Sequence, residues 1–180
     1  DKAVITLGMG TRSLRKIECN ERFEMIPERL AEAIEEDIEA GYQPICVIPT
    51  IGTTSTTSVD PVDLVADICE KYGLWLHVDA AYAGSAELQH LFKGWERADS
   101  IVTNPHKWLF TPFDLSVLYC RDLNELKAAF SLVPEYLKTS DAAAVKNGMD
   151  YGIQLGRRFR ALKLWFVIRY FGREGLIARL

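Results

Sequence analysis

Two residues, Asp79 and Lys107, have the types and the setting that an aldehyde cofactor requires. Asp79 ends the apolar run 74–79, which is typical of a buried strand, and open α/β sheets bind ligands at the carboxyl ends of their strands. Lys107 lies on a short polar loop whose backbone is fixed by Pro105. A lysine amine can hold the aldehyde of pyridoxal phosphate (PLP) covalently, and a carboxylate can pair with the protonated pyridine nitrogen. The pair therefore predicts PLP chemistry, with both residues catalytic and cofactor-binding.

Each residue alone has an ordinary explanation, since an aspartate at a strand end is commonly a cap and a lysine is commonly solvated. The combination favours the chemical interpretation. Ala80 and Ala81 follow Asp79 directly, and such small side chains suit the close approach of a flat ring to the backbone.

The surrounding elements alternate between strand and helix. Apolar runs predict strands at residues 3–7, 44–49, 74–79, 100–103 and 115–120. Four helices are predicted: one from Pro27 to Gly41, one capped by Asp60 and ending before Gly73, one beginning at Asp122, and a long one over 157–170 that ends at Gly172. Residues 132–146 are predicted to form a loop. Because the connections are short, we expect a parallel sheet flanked by helices.

Five segments resemble one enzyme family. They read His-Val-Asp-Ala-Ala-Tyr-Ala-Gly-Ser at 77–85, Asn-Pro-His-Lys-Trp-Leu at 104–109, Thr-Ile-Gly-Thr-Thr at 50–54, Phe-Ser-Leu-Val-Pro-Glu-Tyr-Leu at 130–137 and Leu-Gly-Arg-Arg-Phe-Arg at 155–160. These segments are similar to the group II PLP-dependent amino-acid decarboxylases, in particular the aromatic-L-amino-acid decarboxylase branch with its tyrosine, tryptophan and DOPA decarboxylases. Nearly all 180 residues run in register with that branch. The resemblance implies an α/β fold, the fold-type I PLP-dependent transferase-like large domain, with a mostly parallel sheet flanked by helices.

The resemblance also assigns further cofactor-binding residues. It places Thr50 and Ala81 near the cofactor ring, and Asn104 and His106 at the cofactor phosphate. His77 precedes Asp79 by two residues and so shares its strand face, where it is either a partner of the site or a packed core histidine.

Two residues are assigned to the substrate side. By resemblance, Tyr136 lies on a mobile flap and assists protonation of the carbon that loses carbon dioxide. Gly156 lines the substrate pocket and leaves room for an indole or a catechol. Trp108 and Tyr82 fit the aromatic branch better than the glutamate decarboxylases.

The activity implied is decarboxylation of an aromatic L-amino acid to its amine by a homodimer. An aromatic aldehyde synthase or another fold-type I PLP enzyme is the alternative, together with a non-catalytic fragment. Set against the family, residues 1–180 are expected to be a partial PLP-binding large domain that lacks an N-terminal segment and a C-terminal small domain.

Composition excludes several other classes. The net charge of −4 argues against nucleic-acid binding, and the cluster of Arg157, Arg158, Arg160 and Lys163 is expected on one helix surface. No apolar run reaches the length of a membrane span, and no signal peptide or Cys-x-x-Cys pair is present, so we expect a cytoplasmic protein. His77, Asp79, His90 and His106 lack the paired spacing of zinc ligands, so no metal site is predicted.

Overall fold

The computed structural model describes residues 1–84, 92–132 and 146–180. Its centre is a four-stranded sheet in the order β1-β2-β3-β4. The strands are β1 (Cys46–Val47), β2 (Trp75–Ala80), β3 (Ser100–Thr103) and β4 (Val117–Cys120). β1, β2 and β3 are parallel, and β4 pairs antiparallel with β3. The mostly parallel α/β sheet predicted from the sequence is confirmed.

Six α-helices accompany the sheet in the described part of the chain. They are α1 (Lys2–Thr6), α2 (Pro27–Glu39), α3 (Val62–Tyr72), α4 (Pro105–Trp108), α5 (Leu123–Phe130) and α6 (Ala161–Ile177). Three follow from local signals: Pro27 is the first residue of α2, Gly73 ends α3 in the left-handed conformation, and the Asp122 carboxylate accepts the Asn124 N–H at the start of α5.

The core lies between one face of the sheet and the helices α2 and α3. Leu76, Val78 and Ala80 alternate along β2 and are buried, as the period of a strand requires. Leu30 of α2 and Val65 of α3 are buried in the same cluster. Full burial of each large aliphatic side chain contributes roughly 1.5–3 kcal/mol. The opposite face of β2 carries Trp75, His77 and Asp79, which are only half-buried.

The prediction of a strand at residues 3–7 is wrong. That segment is mostly the short helix α1, and no described strand lies beside it. Its backbone groups therefore bond locally, as in the hydrogen bond from Leu7 N–H to Ala3 O (2.9 Å).

Two predictions at the starts of helices are also wrong. Asp60 does not cap α3, because the residue before that helix is Pro61 and no side-chain cap bond is present. The predicted helix over 157–170 begins only at Ala161 and continues to Ile177 across a break at Gly172 (φ 65°, ψ 177°). Arg157, Arg158 and Arg160, three of the four clustered basic residues, thus precede α6. The Arg160 guanidinium pairs with Asp114 (3.1 Å).

Two large apolar residues on these helices are exposed. Leu64 of α3 is 49% exposed, and Ile38 at the end of α2 is also exposed. The predicted strand at 44–49 is shorter in the structure, where β1 covers only Cys46–Val47. Ile45 and Ile48, which flank β1, are exposed. Among the described residues, no helix is both long enough and apolar enough to span a bilayer.

Candidate active site

The carboxyl edge of the parallel strands gathers most of the residues predicted from the sequence. Thr50 pairs with Asp79 in a parallel bridge, and Ala80 pairs with Thr103 at the end of β3. One residue separates β3 from α4, the short helix that carries Lys107. Thr50, Asp79 and the lysine helix therefore meet at one edge of the sheet, where α/β proteins bind ligands.

Asp79 offers one carboxylate oxygen to a ligand. The Ala81 N–H donates to Oδ1 at 3.0 Å, which fixes the side chain at the end of β2. Among the described residues, nothing donates to the other oxygen, Oδ2. The side chain is half-buried, so Oδ2 can accept a hydrogen bond from a cationic N–H in a partly desolvated setting.

Lys107 lies on α4, which Pro105 opens at its first position. Pro105 is buried, and the Lys107 N–H donates to Asn104 O at 2.9 Å. The Lys107 side chain is exposed and forms no ion pair with any described residue. Its backbone is therefore anchored, while its amine is accessible to an aldehyde.

An aromatic pair joins the segments that carry the two catalytic candidates. The rings of Tyr82 and Trp108 meet edge to face, with centroids 5.5 Å apart and an interplanar angle of 88°. Such pairs contribute about 0.5–1.5 kcal/mol beyond the area they bury. Sequence reasoning used these aromatics only as family markers and did not predict that they touch.

His106 and Asn104, the predicted phosphate-site residues, are both bound by the segment that leads into β4. The Leu115 N–H donates to Nδ1 of His106 at 3.0 Å, and the ring also lies edge to face with Phe113. The Ser116 hydroxyl donates to Asn104 Oδ1 at 2.7 Å. Both side chains are thus held beside Lys107, and their contact with a phosphate remains a prediction.

His77 is tied into the sheet face that carries Asp79. The Trp75 indole N–H donates to Ser100 Oγ, and His77 Nδ1 lies 2.8 Å from the same oxygen. Burial lowers the pKa of His77, and the Asp79 charge opposes that shift. A neutral ring that accepts the Ser100 proton at Nδ1 carries its own proton on Nε2. Ser100 has no sequence signal of its own, and only the pairing of β2 with β3 places it here.

The backbone around Asp79 is packed too closely for larger residues. A Cβ at Gly52 would lie 2.4 Å from the Ala83 Cβ, and a Cβ at Gly84 would lie 2.6 Å from Ala80 O. The surface beside this sheet edge therefore consists of backbone atoms and methyl groups. With the Asp79 carboxylate and the exposed Lys107 amine at the same sheet edge, the residues present fit a flat, cationic, aldehyde-bearing ring.

Three predicted positions gain no support from this geometry. Tyr136 lies outside the described residues, as does His90. Gly156 is exposed, and a Cβ there would have no heavy atom within 4 Å, so its place in a substrate pocket remains a prediction. The described residues contain no group of three potential metal ligands.

A mostly parallel sheet that presents a carboxylate and a lysine at its carboxyl edge fits a PLP-binding α/β domain. The family described as the pyridoxal-dependent decarboxylase conserved domain matches residues 2–180, and the chain belongs to that family. PLP is accordingly its cofactor.

Two relatives and one solved structure show how similar this chain is to known proteins. Phenylacetaldehyde synthase of a Rosa hybrid cultivar is 43% identical over 183 residues, which cover 97% of this chain and 36% of the relative. Aromatic-L-amino-acid decarboxylase of Bos taurus is 46% identical over 176 residues, which cover 94% and 36%. The crystal structure of Oryza sativa TDC with PLP and tryptamine superposes with a TM-score of 0.93 at 43% identity, covering 98% of this chain and 38% of that one. The chain thus spans about a third of the length of the curated relatives it matches.

Proposed function

We propose that the protein containing this chain decarboxylates an aromatic L-amino acid to the corresponding amine, with residues 1–180 forming part of its PLP-binding large domain. The observation that carries the proposal is the meeting of Asp79 and the Lys107 helix at one sheet edge, with one Asp79 oxygen available. The similarity to aromatic-L-amino-acid decarboxylases of Manduca sexta and Bos taurus supports the aromatic substrate.

When bound, PLP supplies an aldehyde that bonds to amines and a pyridinium ring that withdraws electrons from the bond to the leaving carboxylate. Lys107 Nζ is the amine that would hold the cofactor aldehyde. Asp79 Oδ2 would keep the proton on the pyridine nitrogen, because opposite charges favour the charged form of both groups. The backbone of Ala81 prevents the carboxylate from turning away.

Other residues complete the site in this proposal. Thr50 and Ala81 flank the ring, and His106 and Asn104 bind the phosphate. The Tyr136 hydroxyl delivers a proton to the substrate carbon that has lost carbon dioxide. Gly156 leaves room for the aromatic side chain of the substrate.

An aromatic aldehyde synthase is the second candidate, and the similarity to the phenylacetaldehyde synthases of a Rosa hybrid cultivar and of Petunia hybrida favours testing it. The two activities differ in product, since the synthase forms an aldehyde. Tyr136 favours the decarboxylase because it supplies a proton donor that completes the amine.

We also propose a cytoplasmic homodimer. Large apolar side chains are exposed on and before α6, and a second subunit would remove them from water: Phe159, Leu162, Trp165, Phe166 and Tyr170. All four cysteines are free, which agrees with a reducing compartment.

The test uses the full-length parent loaded with PLP. Borohydride reduction followed by peptide mapping should place the pyridoxyl label on Lys107, and Lys107→Ala should abolish it. Lys93 is the internal control, because its amine is already paired with Asp63 at 2.6 Å. A label on Lys93 or Lys138 would refute the assignment of Lys107. Incubation with L-tryptophan, L-tyrosine or L-DOPA should yield the amine, whereas an aldehyde with hydrogen peroxide would identify a synthase.

A further inference from the structure

Asp60 is a buried carboxylate whose bonds converge on the cofactor edge. Its side chain belongs to a residue that is only 8% exposed, and both oxygens accept backbone N–H groups at 2.7 Å: Oδ1 from Met25 and Oδ2 from Thr50. Its own N–H donates to Thr50 O at 3.0 Å. Asp60 therefore holds both backbone polar groups of Thr50.

Thr50 in turn borders Asp79. The Asp79 N–H donates to Pro49 O and the Ile51 N–H donates to Asp79 O, both at 2.9 Å. The two residues that flank Thr50 thus hold the backbone of Asp79 on the other side. Hydrogen bonds therefore link the Asp60 carboxylate, through the 49–51 backbone, to Asp79, the proposed partner of the pyridine nitrogen.

Helix capping does not explain this carboxylate. α3 begins two residues later without a side-chain cap, and the Asp60 oxygens point to Met25 and Thr50 instead. A buried carboxylate is costly unless it is fully hydrogen-bonded, and bonds to an ionised acceptor are about twice as strong as neutral ones. An asparagine has one carbonyl oxygen and would leave one of the two N–H groups unpaired.

We propose that Asp60 is a positioning residue of the cofactor site: it fixes the 49–51 segment and thereby the placement of Thr50 and Asp79 against PLP. The inference rests on the proposed function. The Met25 bond also ties the segment before α2 to this edge.

The experiment compares Asp60→Asn with Asp99→Asn in the full-length parent. Asp99 is the matched control because its Oδ2 accepts the Leu76 N–H at 2.7 Å, a bond of the same kind near the opposite end of β2. Apoprotein is titrated with PLP, and binding is followed by absorbance. We expect Asp60→Asn to weaken PLP binding by about tenfold or more, and Asp99→Asn to change it by less than about twofold.

Hydrogen exchange of the apoproteins supplies a readout independent of the cofactor. Peptides that cover 47–52 should exchange faster in Asp60→Asn and at the parental rate in Asp99→Asn. PLP binding and exchange equal to the parent in Asp60→Asn would overturn the inference and leave the proposed function intact. A parent that fails to bind PLP would instead refute the proposed function, and the inference with it.

Folding failure is also decisive. If Asp60→Asn is not recovered folded, Asp60→Glu, which keeps the carboxylate, takes its place in the same titration and should bind PLP more weakly than the parent. If neither variant folds while Asp99→Asn does, Asp60 is a determinant of folding and the positioning role is wrong.

Discussion

Gly52→Ala tests how closely the chain is packed beside the cofactor edge. Gly52 has φ +75°, and the new Cβ would lie 2.4 Å from the Ala83 Cβ and 3.4 Å from the Ala83 N. Real Cβ atoms do not approach one another so closely. The backbone of either 50–52 or 80–84 must therefore move, and Asp79 and Thr50 lie beside those segments.

Gly73→Ala separates the two expected causes of destabilisation, which are left-handed backbone strain and overpacking. Gly73 has φ +64° at the end of α3, and a Cβ there meets nothing within 4 Å. Gly73→Ala therefore incurs only the strain of a left-handed backbone conformation, about 1–2 kcal/mol. Gly52→Ala incurs a similar strain plus overpacking of about 1–3 kcal/mol, so its total should be about 2–5 kcal/mol.

The assay is urea denaturation of the full-length parent and both variants, followed by PLP titration of each folded apoprotein. Gly52→Ala should lose more unfolding free energy than Gly73→Ala and should also bind PLP more weakly. Equal losses of unfolding free energy in the two variants, with unchanged PLP affinity in both, would contradict this expectation. They would show that Ala83 moves aside with no loss of stability and that the sheet edge is not tightly packed.

Three other substitutions or treatments have defined outcomes. Asp79→Asn should lower kcat/KM by about two to four powers of ten while the fold survives, since removing one partner of a buried ion pair costs about 3–5 kcal/mol; near-normal turnover would make Asp79 a structural cap. Burial raises the pKa of Cys69 to about 12, so iodoacetamide should label exposed Cys19 in the folded protein but Cys69 only after unfolding, as mass spectrometry can establish. Burial lowers the pKa of His77 from 6.5. As the pH falls below 6.5, the His77 ring of the unfolded chain therefore binds a proton before the ring of the folded chain does. Stability should then fall as the pH drops below about 6.5, by at most about 1.4 kcal/mol per pH unit, and His77→Gln should reduce that slope in urea titrations; an unchanged slope would contradict the assignment.

Local residue signals were sufficient for much of the fold. Pro27 and Gly73 marked helix ends because proline fixes φ and glycine tolerates positive φ, and both effects act within one residue. The strand ending at Asp79 was evident from its apolar run. For the segment 3–7 the same signals predicted a strand, but the segment is mostly helical. β-Branched residues form a strand only where a neighbouring strand can accept their backbone hydrogen bonds.

The residue pattern alone predicts the chemistry: an aspartate after a buried strand and a lysine beside a proline indicate a cofactor edge, and the structure brings their segments together. Only the tertiary structure decided how that edge is held. Three contacts join residues more than twenty positions apart: the hydrogen bond from the Met25 N–H to Asp60, the hydrogen bond between Ser100 and His77, and the contact between the rings of Tyr82 and Trp108. Periodicity and capping signals extend over a few residues, whereas such contacts depend on which strands pair and in what register.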